Sequence, residues 1–530
     1  MAALAGAALV MGSMSAMSVE WEAGKGPITM PTVPSSIPGR VIPPGTPPGG
    51  NIKGANLQSY QDGLLEFPAP TGADAKYAAI NGHKVHEYVT AFTNFARKYR
   101  DNGHPQFWGR LIGSQADTDS ANYTLEKFKS FNLTDAHIQP FDLVPQWYPQ
   151  GWTVTATGSD GAIVNLETAQ PAYQTPDTKG QNLTAEAAWV GTGSEADYVG
   201  RDVRGKIVFI YSTPWPGSWR QQATAEDALR RAEAKGAAGI VSVIALPGNV
   251  RMALYPTSTN VPTFSMGLID GYKVRDLIGA GKAPKVTINM AVKMEEGMKT
   301  SMVWGTLPGV TDEKVIIIAH RDGWYESGTD NASGAGALIG LAEYFSKVPK
   351  AQRKRTIVFI STTGHHNGGN VGGTYILQHR DKLFDKGALF INLEHVATGQ
   401  TYELGEDIRF GNRSTSMLWY AGGPRRPKLQ DIAVKAFHEM GVSIYESPEN
   451  AAPGGEMSGI WPYIAGVQAS DYNMFFHSDH ETAETVPWTG LQEISRAYAK
   501  IIDETGKLPL SDLQRPDEPP GGVPAPIAKD

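Results

Sequence analysis

VIIIAHRDGWYESGTDNASGAGALIGL, residues 315–341, is the stretch that decides the fold. Its apolar, β-branched start is typical of a strand buried on both faces of a parallel sheet, and its small-residue end predicts a helix over Ala337–Phe345. His320 and Asp330 lie in the loop between them. Functional groups of open α/β sheets lie beyond the carboxyl ends of the strands, so both side chains are predicted to lie where metal ligands belong. The local pattern alone fits a strand with an ordinary polar loop equally well.

Three later strands are predicted to end in similar polar groups. They cover Thr356–Ser361, Ala388–Leu393 and Val467–Phe476, and the groups that follow them are His365 and His366, Glu394, and His477. A single His at such a place is more often structural, but several groups that reach one sheet edge favour a metal site. The αβ alternation predicts a mostly parallel, mixed α/β sheet that is flanked by helices.

Composition narrows the class of partner and the kind of site. The net charge of -7 and the absence of a basic stripe argue against a nucleic-acid partner. The chain has no cysteine, which excludes disulfides, Cys-ligated zinc and a thiol nucleophile. Any metal ion must therefore be held by His, Asp and Glu. A length of 530 residues allows two or three domains.

The first 18 residues are small, apolar and uncharged, like the core and cleavage zone of a secretory signal. The basic segment that usually precedes such a core is missing, since Lys25 is the first basic residue. We expect a secreted or periplasmic protein, and a cytoplasmic location stays open. No other run approaches the roughly 20 apolar residues that span a bilayer, so no membrane span is predicted.

Four parts are expected along the chain. A leader and a Pro/Gly-rich arm occupy residues 1–52, and a flexible tail occupies residues 511–530. The main domain is discontinuous, over residues 53–150 and 286–510. Short strands and turns between these segments predict a β-rich insert over residues 151–285.

The polar segments at the strand ends carry a family resemblance. In chain order they read His320-Arg-Asp322, Gly328-Thr-Asp330-Asn331-Ala-Ser333-Gly334, His365-His366, Asn392-Leu-Glu394 and Phe476-His477-Ser-Asp-His-Glu481-Thr482. Their order and spacing resemble the co-catalytic zinc peptidases that include bacterial leucyl aminopeptidases, glutamate carboxypeptidase II and the transferrin receptor ectodomain. The insert is similar to a protease-associated domain, which implies partner binding or shaping of substrate access.

The resemblance implies a role for each matching residue and one or two zinc ions. His320 and Glu394 would bind the first zinc, His366 and His477 would bind the second, Asp330 would bridge them, Asp322 and Glu481 would support the ligands, and His365 would stand at the position of the general base. The neighbouring imidazoles of His395 and His480 are expected to be supporting or surface groups.

At some of these matching positions, the chain carries a different residue from the family pattern. His365-His366 replaces a Glu-Glu pair, and Glu394 replaces an Asp. Imidazole can both accept a proton near neutral pH and ligate zinc. Two zinc ions would bring four positive charges, whereas Asp330 and Glu394 return only two negative ones. Such a site should attract an anion, hold hydroxide more strongly or lose one metal.

Three functions are compatible with this pattern. The first is a zinc hydrolase that activates water to cleave an amide, peptide or ester, with His365 as the base. The second is other Lewis-acid chemistry, of the lyase or hydratase kind, on a small molecule. The third is a peptidase-like binding protein without activity, as in the transferrin receptor. Transferrin-receptor-like relatives form dimers, so the resemblance also implies a homodimer.

Aromatic side chains near the predicted strand ends are candidates for a pocket that takes a small-molecule or peptide substrate. They are Trp324, Tyr325, Trp461 and Tyr463. An aromatic or hydrophobic substrate group would fit such walls, although ordinary loop packing explains these residues equally well. Arg321, Arg409 and Arg413 are candidates for holding a substrate carboxylate.

Overall fold

The computed structural model describes residues 61–213, 227–246, 249–366, 369–404, 407–414, 417–421, 426–446, 453–470 and 474–513. The predicted leader and arm lie outside these residues, as does the tail from residue 514 onward. Residues 511–513 were predicted to belong to the flexible tail, but Leu513 is buried and its carbonyl accepts a hydrogen bond from Arg426. The core therefore extends slightly further than the hydropathy pattern indicates.

An eight-stranded sheet, named the site sheet below, carries the predicted strand ends. In spatial order its strands are Ile444–Glu446, Met417–Ala421, Gly466–Ser470, Gly387–Asn392, Thr311–His320, Arg355–Thr362, Lys299–Leu307 and Thr134–Asp142. The four strands from Gly466–Ser470 to Arg355–Thr362 run parallel, and antiparallel partners flank them. The predicted mixed α/β sheet flanked by helices is confirmed.

The strand Thr311–His320 lies in the middle of this sheet because both of its faces are covered by apolar groups. Val315 and Ile317 pack into one core cluster with the helix Gly334–Lys347, and Ile316 and Ile318 pack into a second cluster on the other face. All four side chains are buried. Double burial explains the unbroken apolar run of this strand.

Helices cover the site sheet on both faces. Those of the main domain are Gly82–Asp101, Gln115–Ser130, Gly334–Lys347, Val371–Gln378, Arg380–Leu383, Pro427–Glu439, Met457–Ile460 and Trp488–Thr505. The helix Gly334–Lys347 follows the loop that holds Asp330, and it packs against the helix Gly82–Asp101. None of the described helices is both long enough and apolar enough to cross a membrane.

A second eight-stranded sheet, named the insert sheet, is built between Gln146 and Glu295. In spatial order its strands are Ile163–Asn165, Gln146–Thr157, Lys285–Glu295, Leu183–Trp189, Ile207–Ser212, Gly239–Ile244, Thr263–Gly267 and Gln170–Pro171. The helices Ala228–Ala234 and Leu268–Gly279 pack on it, and it has an apolar core cluster of its own. Two short pairings complete the described strands: Gly109–Arg110 with Gly323–Trp324, and Gly399–Leu404 with Asp407–Ser414.

Candidate metal centre

The carboxylate of Asp330 lies between two pairs of imidazoles. Its Oδ1 atom is 3.2 Å from Nε2 of His320 and 2.9 Å from Nε2 of His395. Its Oδ2 atom is 2.8 Å from Nε2 of His366 and 2.9 Å from Nε2 of His477. All five side chains are buried. Groups from four widely separated segments of the chain therefore meet at one carboxylate.

The spacing of these atoms fits a metal ion. The Nε2 atoms of His366 and His477 are 3.1 Å apart, so that with Oδ2 of Asp330 they form a compact trio. Around a tetrahedral zinc with ligands at about 2.0–2.1 Å, neighbouring ligand atoms lie about 3.3 Å apart. Nε2 of His320 and Oδ1 of Asp330 are buried and have no hydrogen-bond partner among the described residues. Unsatisfied atoms that face each other at this distance are expected where a cation is bound.

Asp322 and Glu481 hold the ligand residues through their backbones. The two carboxylate oxygens of Asp322 accept hydrogen bonds from the backbone N–H groups of His365 and His366, at 3.2 Å and 2.9 Å. The Glu481 carboxylate accepts from the backbone N–H groups of Asp330 and His477. Both carboxylates are buried, and each fixes two residues of the cluster.

Charge and burial shift the pKa values within the cluster in opposite directions. Burial lowers the pKa of His477 to about 3. Burial also disfavours the charged form of His366, but the Asp330 carboxylate and hydrogen bonds to Asp322 and Asp330 raise its pKa to about 9. The imidazoles around Asp330 hold its pKa well below the usual range despite its burial. His366 would therefore release its extra proton when a cation binds in place of that proton.

Glu394 and His365 lie beside this cluster. Oε1 of Glu394 is 3.6 Å from Nε2 of His365 and 4.0 Å from Nε2 of His395, while Oε2 accepts a hydrogen bond from Asn392 at 2.7 Å. Ligand atoms of His320, His365 and Glu394 lie within 4.8 Å of one another and could also hold an ion. A Cβ atom at Gly455 would overlap the Glu394 carboxylate and force it to move, and the φ of +60° also favours glycine there.

The four aromatic candidates for the substrate pocket occupy different places. The Trp324 ring lies 5.0 Å from the ring of His366 and 4.7 Å from that of His477, next to the cluster. Tyr325 is fully buried, and its ring packs 5.3 Å from that of Trp108, so it supports the loop and cannot contact a substrate. Trp461 packs at the edge of the core cluster formed by Ile376, Phe390 and their neighbours, and Tyr463 lies under the guanidinium of Arg380.

The three arginines that were candidates for holding a substrate carboxylate also lie in different places. Arg321 is fully buried and donates to the Asp117 carboxylate at 2.7 Å and to backbone carbonyls, so it anchors the loop and cannot bind a substrate carboxylate. The side chains of Arg409 and Arg413 lie outside the part of the chain that the structure describes.

Residues 302–502, which contain every group of the cluster, match the family model described as peptidase family M28. This part of the chain is therefore similar to that peptidase family. The fold of the chain is similar to that of the zinc aminopeptidase from Bacillus subtilis. The TM-score is 0.58, with 17% identity over 82% of this chain and 98% of the other. A peptidase M28 precursor from Shewanella amazonensis gives a TM-score of 0.61 and 17% identity over 84% of this chain and all of the other.

Two curated relatives match shorter segments of the chain. A probable glutamate carboxypeptidase from Arthroderma benhamiae is 25% identical over 217 residues, which cover 39% of this chain and 26% of that protein. A protein from Schizosaccharomyces pombe that is named as an inactive zinc metalloprotease is 23% identical over 125 residues, which cover 23% of this chain and 16% of that protein. The matched segments thus span about a quarter or less of these relatives.

Sequence reasoning missed three side chains at this centre. His395 was expected to be a supporting or surface group but lies in the cluster, whereas His480 binds Asp479 at 2.6 Å. Glu456 is buried, and burial raises its pKa to about 7. Tyr255 comes from the insert, and its ring lies 4.9 Å from that of His477. The adjacency of His395 to Glu394 was a usable signal, but nothing in the sequence points to the other two.

Proposed function

We propose that this chain is a divergent zinc-dependent hydrolase of the aminopeptidase or carboxypeptidase type, which cleaves an amide, peptide or ester bond. The observation that carries the proposal is the Asp330 carboxylate, each oxygen of which faces two imidazole Nε2 atoms within 3.2 Å. The M28 match supports the same class of reaction. When bound, zinc supplies a Lewis acid that polarises a substrate carbonyl and lowers the pKa of water.

The residues of the cluster have separate tasks. His320, Asp330, His366, His477 and Glu394 are the proposed metal-holding set, for one or two ions. The carboxylates of Asp322 and Glu481 keep these ligands in place by binding their backbone N–H groups, as the outer partners of metal ligands commonly do. The Trp324 ring is buried against the imidazoles of His366 and His477 and supports these two ligands.

His365 is proposed to accept the proton of the attacking water. Burial and the neighbouring His320 lower its pKa to about 4, so the imidazole is neutral at pH 7 and can take a proton at Nε2. The His365 side chain is 15% exposed, whereas Asp330 and His477 are 1% and 5% exposed, so His365 faces the accessible side of the cluster.

Four further features belong to the same proposal. Two carboxylates against two divalent ions leave positive charge at the site, so we propose that substrates or inhibitors with an anionic group bind preferentially. The leader-like first 18 residues support export to a periplasmic or extracellular space. We also propose that residues 151–285 act as a protease-associated insert that shapes access to the site, and that the chain forms a homodimer.

The test uses full-length protein purified without chelator. Elemental analysis gives the metal content, and aminoacyl anilides, acyl-amino acids and aromatic esters are screened with product identification by mass. We expect turnover that a chelator abolishes and zinc restores, and a loss of at least about 100-fold in kcat for His365→Ala. The control is His379→Ala, which removes an exposed imidazole away from the cluster.

The outcomes separate the candidate functions. Hydrolysis that persists after the metal is removed would contradict the zinc mechanism. Metal-bound protein that converts a substrate by addition or elimination would indicate lyase or hydratase-like chemistry. Protein that holds no metal and turns over none of the three substrate classes would instead be a peptidase-like binding protein.

A further inference from the structure

We propose that His395 is a metal ligand of this centre and forms, with His320 and Oδ1 of Asp330, the counterpart of the trio on Oδ2. The inference rests on the proposed function, because it concerns the same metal site. It changes the ligand set that family resemblance implies, in which Glu394 completes the first site and position 395 has no role.

The first support is the symmetry of the contacts to Asp330. Oδ1 lies 3.2 Å from Nε2 of His320 and 2.9 Å from Nε2 of His395. Oδ2 lies 2.8 Å from Nε2 of His366 and 2.9 Å from Nε2 of His477. Each carboxylate oxygen therefore faces one pair of imidazoles through the same ring atom. If the pair on Oδ2 holds an ion, the pair on Oδ1 offers the same kinds of ligand atom to a second ion.

The second support is that the chain is built to aim His395 at this position. The side chain is 2% exposed, and the backbone is left-handed, with φ at 50°, which non-glycine residues seldom adopt. The N–H of His395 donates to Oδ1 of Asn331 at 3.1 Å, and Nδ2 of Asn331 donates to the carbonyl of His320 at 3.2 Å. One side chain thus holds the backbones of both imidazoles, and the Phe476 ring packs edge-on 5.2 Å from the His395 ring.

The third support is the position of Glu394. Its Oε1 atom is 4.0 Å from Nε2 of His395, and its Oε2 atom is engaged by Asn392 at 2.7 Å. The nearest basic group to Oε1 that the contacts give is His365, at 3.6 Å. With His395 as the ligand, Glu394 is available to stabilise protonated His365. A set of four imidazoles and a bridging carboxylate favours zinc, cobalt, nickel or copper over magnesium or manganese.

The experiment measures metal binding, not activity. Full-length protein is stripped with a chelator and titrated with Zn²⁺ against a chromophoric competitor, and bound metal is counted by elemental analysis. For His395→Asn we expect the loss of one ion or a fall of at least about 100-fold in the affinity for one ion, since even outer partners of ligands are worth 10–100-fold. His395→Asp keeps a ligand atom and should restore part of the affinity. His480→Asn, which removes a buried imidazole outside the cluster, should change neither quantity.

Two failures can be told apart. Wild-type protein that binds no Zn²⁺ would remove the proposed function and this inference together. Wild-type protein that binds Zn²⁺, with the same number of ions and the same affinity in His395→Asn, would overturn the role of His395 alone. Glu394→Gln is measured in parallel: if it loses an ion and His395→Asn does not, the competing set of His320, His365 and Glu394 holds that ion. Circular dichroism of the stripped variants establishes that they are folded.

Discussion

The buried carboxyl group of Glu456 couples folding to pH at the scale of a single residue. Its Oε2 atom accepts a hydrogen bond from the Thr362 hydroxyl at 2.7 Å, and its Oε1 atom has no hydrogen-bond partner among the described residues. Burial raises its pKa from 4.5 to about 7. The folded protein without metal therefore keeps this proton over a range of pH in which the unfolded chain has released it.

Glu456→Gln is expected to flatten part of this pH dependence. Between about pH 4.5 and pH 7 the folded state binds more protons than the unfolded state, so the stability of the wild type falls as the pH rises and then levels off. The neutral Gln avoids this loss, which amounts to about 3 kcal/mol at pH 8. Urea unfolding of chelated protein at pH 5 and pH 8 measures it. Equal pH slopes for the two proteins would contradict the shifted pKa.

Arg321 and Asp117 form a buried ion pair whose disruption should be costly. Nη2 of Arg321 lies 2.7 Å from Oδ1 of Asp117, and both side chains are at most 2% exposed. Arg321→Met should lower the free energy of unfolding by about 3–5 kcal/mol, because the Asp117 carboxylate would be left without its cationic partner. Arg204→Met breaks the exposed pair with Asp202 and should cost less than about 1 kcal/mol. Similar losses in both variants would refute the distinction.

Sequence reasoning places side chains at one edge of the site sheet where they stand at the ends of apolar strands. His320 and Glu394 do so, because an apolar run that stops abruptly indicates where its strand stops. Sequence reasoning did not predict the place of His395 in the cluster, because its left-handed backbone turns the ring towards Asp330 and residue type does not encode that turn. The predicted role of Arg321 in holding a substrate carboxylate is wrong, because its guanidinium binds the Asp117 carboxylate, more than 200 positions away in the sequence.

At the scale of elements, the apolar runs predicted the central strands of the site sheet, but they placed the end of the last strand too late. The prediction for Thr356–Ser361 is confirmed by the strand Arg355–Thr362. The last predicted strand was expected to run over Val467–Phe476 into His477, but the observed strand ends at Ser470. Phe475 and Phe476 are buried in a turn instead, so their apolar character reflects packing against the site and not pairing in a sheet.

Gly336 sets the distance between two helices. A Cβ atom there would lie 2.7 Å from Cγ2 and 3.1 Å from the backbone N of Val89, in the helix Gly82–Asp101. Gly336→Ala should therefore destabilise the protein by about 1–3 kcal/mol, although Ala is otherwise favoured in helices by about 1 kcal/mol. Thermal unfolding measures the loss. Gly279→Ala has open space around its Cβ and should be neutral or slightly stabilising, and an equal loss there would refute the packing argument.

At the scale of the whole molecule, residues 251–255, which lie between two strands of the insert sheet, contact the segment of His477 at the candidate metal centre. The backbone N–H of Ala253 donates to the carbonyl of His477 at 2.9 Å, and Arg251 and Asp479 exchange hydrogen bonds in both directions. The Tyr255 ring, from the same segment of the insert, lies 5.3 Å from that of Trp324. Nothing in the sequence of residues 151–285 has catalytic spacing, so the contribution of Tyr255 to the site could be seen only in the structure.

Tyr255→Ala should therefore affect substrate binding more than chemistry. The ring lies 4.9 Å from that of His477 and 6.2 Å from that of His366, where it can form a pocket wall opposite the ligands. For the aromatic anilide that is turned over best, we expect about a tenfold lower kcat/KM, mainly through KM, and a smaller effect on an alanyl substrate. Steady-state kinetics on both substrates measure this difference, and metal content should stay unchanged.

The matched control is Tyr272→Ala, which removes a tyrosine of the same insert that contacts Trp189 and Arg275. It should leave the preference between the two substrates unaltered, because its ring packs on residues of the insert. If Tyr255→Ala instead loses metal, the ring acts on the ligands and not on the substrate. If both variants lower kcat/KM equally for both substrates, the insert supports only the stability of the fold, and the pocket must be built from the site sheet alone.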